Sequence, residues 1–262
     1  MAIKNELWVL GVGCGVLGLL GFMSGQAPLP SAFSWLPIIS VVLLALPGYF
    51  AFVSDAGDKR GGAVLIMLAL VGLGIEYIGV TTGWPYGTFA YSEVMGEKLF
   101  GVVPWTVAFA WPPLVLGALY AVKSINHWPL AVRALLAALL LVVIDLALDP
   151  AAVAQAFWTF TPPGPYYGVP WVNYAGWLLS GFIGSALALS VIKKSAHHLS
   201  WRTASSAVLS IAFFTGVNAS YGLYVPMLVG LLLIAAFFFV QGKRFVRIYA
   251  HLAARKAQQG QK

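Results

Sequence analysis

The sequence predicts an all-α fold, a polytopic bundle of about eight transmembrane helices with both termini in the cytoplasm. Two observations lead there. Of 262 residues, 60% are hydrophobic and 9% are charged, against roughly 25% charged in an average soluble domain. Apolar runs that meet the roughly 20 residues a helix needs to cross a bilayer recur along the whole chain. No soluble domain has room to exist, so residues 1–262 read as a single integral membrane domain.

The spans fall near 6–23, 36–53, 62–80, 101–122, 129–148, 171–192, 204–219 and 223–241. Lys4 ahead of the first run also suits a signal peptide. The run is longer than the usual 7 to 15 or so residues of a signal core and no A-x-A site follows, so it reads as a retained helix. It contains Cys14, the single cysteine, which excludes an internal disulfide and a thiolate cluster. Lys59 and Arg60 separate the second and third spans, and Lys123 and Arg133 bracket the turn between the fourth and fifth. Lys193, Lys194 and Arg202 follow the sixth. The seventh is weak, but without it Lys243, Arg244, Arg247, Arg255 and Lys256 would fall outside. Alternate gaps then hold 14 of the 15 basic residues, with Lys98 alone on the other side, as the positive-inside rule requires. The net charge of +7 thus reflects topology rather than a nucleic-acid partner. The basic tail reads as a solvated helix end near anionic headgroups, and the chain as a multi-pass protein of the inner (cytoplasmic) membrane.

Three outward segments share a vocabulary, at 79–105, 149–177 and 218–226. GWPYG and GPYYG, then GVVPW and GVPW, read as two copies of a helix, loop, helix unit, with an echo in YGLYVP. Turn residues and interfacial aromatics are expected at a membrane surface in any case.

Both proposed copies follow a span that ends in acid, with Glu76 in the third and Asp145 and Asp149 in the fifth. A charge within the bilayer costs at least about 2.5 to 3.5 kcal/mol, so such groups face a cavity or a partner. Asp145 and Asp149, four apart, share one helix face. Desolvation, the negative C-terminal end of each helix and the neighbouring acids all favour the neutral carboxyl, which is a proton donor. Local readings stand beside this one. Asp149 before Pro150 suits an N-cap opening a short helix through AAVAQAF, and Glu76 is close enough to the boundary to reach headgroups. Asp55, Asp58, Glu93 and Glu97 read as solvated loop residues.

Several chemistries are excluded. The four histidines, His127, His197, His198 and His251, lie on the cytoplasmic side, too few and too far from the acids for a membrane di-iron site. No mid-span lysine is available for a retinal Schiff base. DLALD matches a D-x-x-x-D diphosphate motif, but an intramembrane prenyltransferase needs more than one such motif and cations to neutralise the diphosphate. No metal and no cofactor is expected. Acid catalysis on a lipid remains. Protonating a trisubstituted alkene makes a tertiary carbocation that aromatic faces stabilise, and water then adds with a carboxylate as base. The candidate rings are Trp84, Tyr86, Tyr91, Trp105, Trp111, Trp158, Tyr166, Tyr167 and Trp177. Interfacial anchoring accounts for most of them, leaving two or three to line a site.

Glu76 followed by GVTTGWPYGTFAY, GVVPW with Trp111 beyond it, DLALDP, and YYGVPWVNYAGW resemble the membrane carotenoid 1,2-hydratases of the carotenoid biosynthesis protein type, over roughly residues 72–178. The resemblance implies hydration of the terminal C1,C2 double bond of an acyclic (ψ) carotenoid end without a redox cofactor. The implied partners are a carotenoid (γ-carotene, lycopene or a bacterioruberin-type precursor), water, the bilayer and pathway enzymes. Tyr86 stands where a phenylalanine is expected. From the physical argument, Asp145 delivers the proton while Glu76 or Asp149 orients or deprotonates the water; Asn173 either bonds that water or an acid, or serves as a polar group at the start of its helix. Gly72, Gly74, Gly181 and Gly184 either admit the polyene or allow close helix packing. A proton-coupled transporter and a non-catalytic carotenoid-binding protein are the competing classes, with an intramembrane prenyltransferase as the lesser alternative.

Overall fold

The computed structural model describes residues 2–27, 33 and 35–259. Side chains of residues 2–4, 194, 195 and 244–259 lie outside that description, and with them the readings of Lys4, Lys194, His251 and the basic tail. Eight α-helices are described: α1 (Ala2–Ser24), α2 (Leu36–Ala56), α3 (Asp58–Thr82), α4 (Val107–Ala121), α5 (Leu130–Ala154), α6 (Trp171–Ile192), α7 (Ser205–Ser220) and α8 (Tyr224–Gln259). Among the described residues, seven helices are long and apolar enough to cross a membrane, which makes this a multi-pass membrane protein. α7, with 16 residues, is shorter than the others' membrane segments. It is buried along most of its length instead, packed against α1, α2, α4, α5 and α8.

Small residues set those crossings. A Cβ at Gly21 of α1 would collide with the Phe213 backbone of α7, and one at Gly216 of α7 with the Gly18 backbone, so the two helices approach as only small residues permit. On α2, interrupted by Pro47, the Gly48 N–H donates to Ser206 Oγ at 2.8 Å. Ser206 in turn donates to the Ala45 carbonyl at 3.1 Å.

The connections at the motif-bearing end hold four short strands: β1 (Phe89–Tyr91), β2 (Lys98–Leu99), β3 (Val103–Pro104) and β4 (Trp158–Phe160). β1 pairs antiparallel with β4, Phe89 opposite Phe160 and Tyr91 opposite Trp158. This revises the duplicated unit. β1 follows GWPYG whereas β4 precedes GPYYG, so the two loops differ in element order. GVVPW and GVPW do each lead into a helix, α4 and α6.

Among the helix boundaries that move, three change the placement of a residue or motif. The fourth helix begins at Val107 rather than near 101, because residues 98–104 form the β2–β3 hairpin around Gly101, whose φ is 71°. The fifth runs to Ala154 with Pro150 inside it, so Asp149 is not an N-cap. Proline lacks the N–H that the carbonyl four residues earlier would accept. Here that carbonyl, Leu146 O, accepts the Tyr166 hydroxyl at 3.1 Å. Asp55 is the third correction. It lies in α2, accepting from Ser200 N at 2.6 Å and Thr203 Oγ1 at 2.9 Å, and is not a solvated loop residue.

Candidate active site

Each of the three acids is delivered by a helix face. On α3, Gly72, Glu76 and Gly79 lie one above another at helical spacing and all are buried. On α5, Asp145 and Asp149 do the same, at 0% and 2% exposure. α6 begins at Trp171, immediately after Pro170, and one turn in presents Asn173, with Trp177 below it. Asn173 Nδ2 donates to Asp145 Oδ2 at 3.0 Å and also to Asp149 Oδ2. One amide thus clamps both aspartates, resolving the alternatives for Asn173 toward an acid partner. Asp145 Oδ1 is buried with no hydrogen-bond partner.

Glu76 does not reach outward to headgroups. It is 8% exposed and its Oε2 accepts the Tyr91 hydroxyl at 2.8 Å. Tyr91 is placed there by β1, where its ring also meets Trp158 of β4 edge-on at 5.8 Å. Burial first, then the adjacent Glu76 carboxylate, push the Tyr91 hydroxyl well above the ordinary tyrosine range. It therefore acts as a donor to Glu76. The Tyr86 hydroxyl is pushed up in the same order of causes, burial and then Glu76. Its ring fits because Gly79 and Gly176 lack side chains: a Cβ at Gly79 would sit 2.8 Å from Tyr86 Cδ2.

All three acids line one cavity of about 1230 Å³. Of the predicted ring and amide residues, Tyr86, Tyr91, Trp111, Trp158, Trp177 and Asn173 are on its wall. Three are not. Trp84 is 57% exposed, Tyr167 is exposed as well, and Tyr166 spends its hydroxyl on the Leu146 carbonyl. Burial, then Tyr167, push that hydroxyl up to about 12, which keeps it a donor. Trp105 also lies off the wall, edge-on to Phe109.

Trp111 explains two of the predicted glycines. A Cβ at Gly72 would fall 3.1 Å from Trp111 Cε3, and one at Gly184 would overlap the far side of the same indole. These glycines hold the indole between α3 and α6. Gly181 similarly admits Leu141, whose Cδ1 would lie 2.9 Å from its Cβ, whereas Gly74 faces open space. Side-chain packing accounts for three of the four.

Beyond the acids the cavity continues as an apolar space that sequence reasoning missed. Leu17 and Leu20 of α1, Leu36 and Leu44 of α2 and Phe213 of α7 line it. An apolar residue in a membrane helix carries no mark distinguishing a cavity wall from a lipid-facing surface. Phe89 and Phe160, paired across β1 and β4 with ring centroids 5.7 Å apart, close the acid end.

Fold and site together define an all-α, multi-pass membrane protein whose buried carboxyls converge on an apolar, ring-lined cavity. The chain belongs to the carotenoid biosynthesis protein family, whose sequence pattern matches residues 32–237. It is similar to a protein of Haloarcula japonica named bisanhydrobacterioruberin hydratase, at 40% identity over 180 residues, or 66% of this chain. The match spans 60% of that relative's length. No solved structure matches the chain.

Proposed function

We propose that the protein is a carotenoid hydratase, adding water across the terminal C1,C2 double bond of an acyclic carotenoid end without a cofactor. The observation that carries this reading is the convergence of Glu76, Asp145 and Asp149 on one largely apolar cavity, in a chain similar to a protein named as a bisanhydrobacterioruberin hydratase. Two carboxyls bound to one amide cannot both be charged without strong repulsion, so the aspartate pair holds a proton. Asp145, whose Oδ1 receives no N–H or O–H donor from another residue type and whose side chain adjoins Asp149, presents it to C2. The double bond opens, C2–H forms, and the positive charge settles on tertiary C1.

Trp111, Trp158 and Trp177 line the cavity, and aromatic rings beside such a charge stabilise it. Water attacks C1 through oxygen. Glu76, held as an acceptor by Tyr91, takes the proton that the water loses and releases it to solvent, and Asp145 regains one from solvent. Water supplies both the hydrogen and the hydroxyl, so no electron acceptor is consumed. In this reading the acid end faces away from the cytoplasm, the tail of the polyene extends along α1, α2 and α7, and the bilayer delivers the substrate. The protein acts on γ-carotene, lycopene or a bacterioruberin-type precursor beside other enzymes of the pathway. Expression in a lycopene-accumulating or γ-carotene-accumulating bacterium tests it: extracts should contain a carotenoid heavier by one water. Unchanged pigment in cells holding folded protein would refute the reading.

A further inference from the structure

Water is the second substrate in this reading, and an apolar cavity does not supply it. The cavity wall around the acids is closed by Tyr86, Phe89, Trp111 and Phe160, all 7% exposed or less. Many of the exposed members of the wall are apolar, such as Leu20, Leu43 and Val94, and suit lipid rather than water. Among the wall's polar members, Glu93 is exposed but paired with Lys98 at 2.7 Å, and Ser40 is exposed on α2; a half-buried polar cluster sits where α1 and α5 end. Gln155 caps α5 six residues beyond Asp149, and its Nε2 donates to Ser24 Oγ at 2.7 Å. Ser24 in turn donates to the Gly21 carbonyl at 2.8 Å. Both side chains are half-buried, the neighbouring Gln26 is exposed, and all three line the same cavity as the acids. Along α5, burial falls from Asp149 to Gln155, so this cluster lies between the carboxyls and the end of the bundle.

We infer that Ser24, Gln26 and Gln155 form the water-access mouth of the site, passing water to the carboxyls while the apolar part of the wall serves the carotenoid. The inference rests on the hydratase reading and adds a role that substrate binding does not require. Amide and hydroxyl groups hand water along by hydrogen bonds that an apolar side chain cannot offer. Gln155 and Ser24 are positioning residues; they do not touch the reacting carbon.

The chemistry gives a readout that a structural tie between α1 and α5 would not move. After proton delivery, the C1 cation has two fates: water adds, or a hydrogen other than the one just delivered leaves, from C2 or from a C1 methyl group, and an alkene forms. In deuterated buffer the second fate leaves deuterium at C2 of the recovered hydrocarbon, as the starting alkene or its terminal-methylene isomer. Membranes carrying the full chain would be incubated with lycopene in deuterated buffer, and alcohol formed and deuterium gained by the recovered hydrocarbon would be measured together. For Gln155→Leu the expected result is hydration reduced about tenfold, the rate equivalent of roughly one hydrogen bond, with deuterium per alcohol formed rising by a similar factor. Gln155→Glu, which keeps a hydrogen-bonding group, should restore the wild-type ratio, and Ser24→Ala should shift the ratio in the same direction as Gln155→Leu. If Gln155→Leu lost alcohol and deuterium in equal proportion, or changed neither, the water-access role would be overturned while hydration by the wild type stood. Should Gln155→Leu fail to accumulate, an unchanged ratio in Ser24→Ala overturns it equally. A wild type that forms no alcohol defeats the hydratase reading itself, a result distinct from either.

Discussion

Replacing Asp145 by asparagine removes the proposed acid while leaving the shape of the site intact. An asparagine at 145 can turn its carbonyl oxygen toward Asn173 Nδ2, the donor that Asp145 Oδ2 meets at 3.0 Å. Its own amide then occupies the place of Asp145 Oδ1, which has no hydrogen-bond partner, and can donate to Asp149. A buried acid thus becomes a neutral group with at least as many hydrogen bonds, and the fold should melt within about 1 kcal/mol of wild type, one ordinary hydrogen bond's worth. Activity should behave otherwise. Loss of a positioned proton donor typically costs about 10² to 10⁴ in rate, or about 2.7 to 5.4 kcal/mol of barrier. The assay is product formation from lycopene in membranes, normalised to folded protein by detergent-solution thermal melting and size-exclusion chromatography. Full turnover in Asp145→Asn would remove Asp145 as the donor. Loss of folded protein in step with activity would make the aspartate pair a structural network.

Tyr91→Phe removes the donor that fixes Glu76; a hydrogen bond to a charged group is worth about 1.5 to 3 kcal/mol, so kcat should fall about 10- to 100-fold with little change in KM. Gly184→Ala places a methyl group against the Trp111 indole and should destabilise the fold by about 1 to 3 kcal/mol, the usual overpacking cost, seen as a lower Tm. Tyr166→Phe leaves the Leu146 carbonyl opposite Pro150 without its donor, for an expected loss of about 1 kcal/mol. Adding Pro150→Ala restores a helical N–H for that carbonyl, so the double variant should melt above Tyr166→Phe alone; an equal or lower Tm would show that Tyr166 does not serve the proline gap.

The membrane bundle was legible because apolar runs and the placement of basic residues are dictated by the bilayer itself. The acids were legible for the same reason: a carboxyl costs too much inside a span to be accidental, and all three do share a cavity. Where reading failed, a distant residue decided a local question. Asp149 followed by Pro150 has the pattern of a helix start, yet the helix continues because Tyr166 serves the carbonyl that proline leaves free. Gly72 and Gly184 left room for a polyene and close packing as equal alternatives, and only Trp111, a residue on a third helix, decides for packing. The hairpin at 98–104 was absorbed into a hydrophobic run because Val102, Val103 and Trp105 suit a span as well as a loop. The far wall of the cavity, from Leu17 to Phe213, had no polar residue to betray it.

The central claim is that water, activated by acids and not by an oxidant, supplies the new oxygen. The most direct measurement is the origin of that oxygen, made by incubating membranes and lycopene once in heavy-oxygen water under ordinary air and once in ordinary water under heavy oxygen gas. Heavy oxygen should enter the product alcohol only in the first case. Heavy oxygen arriving from the gas would contradict the claim.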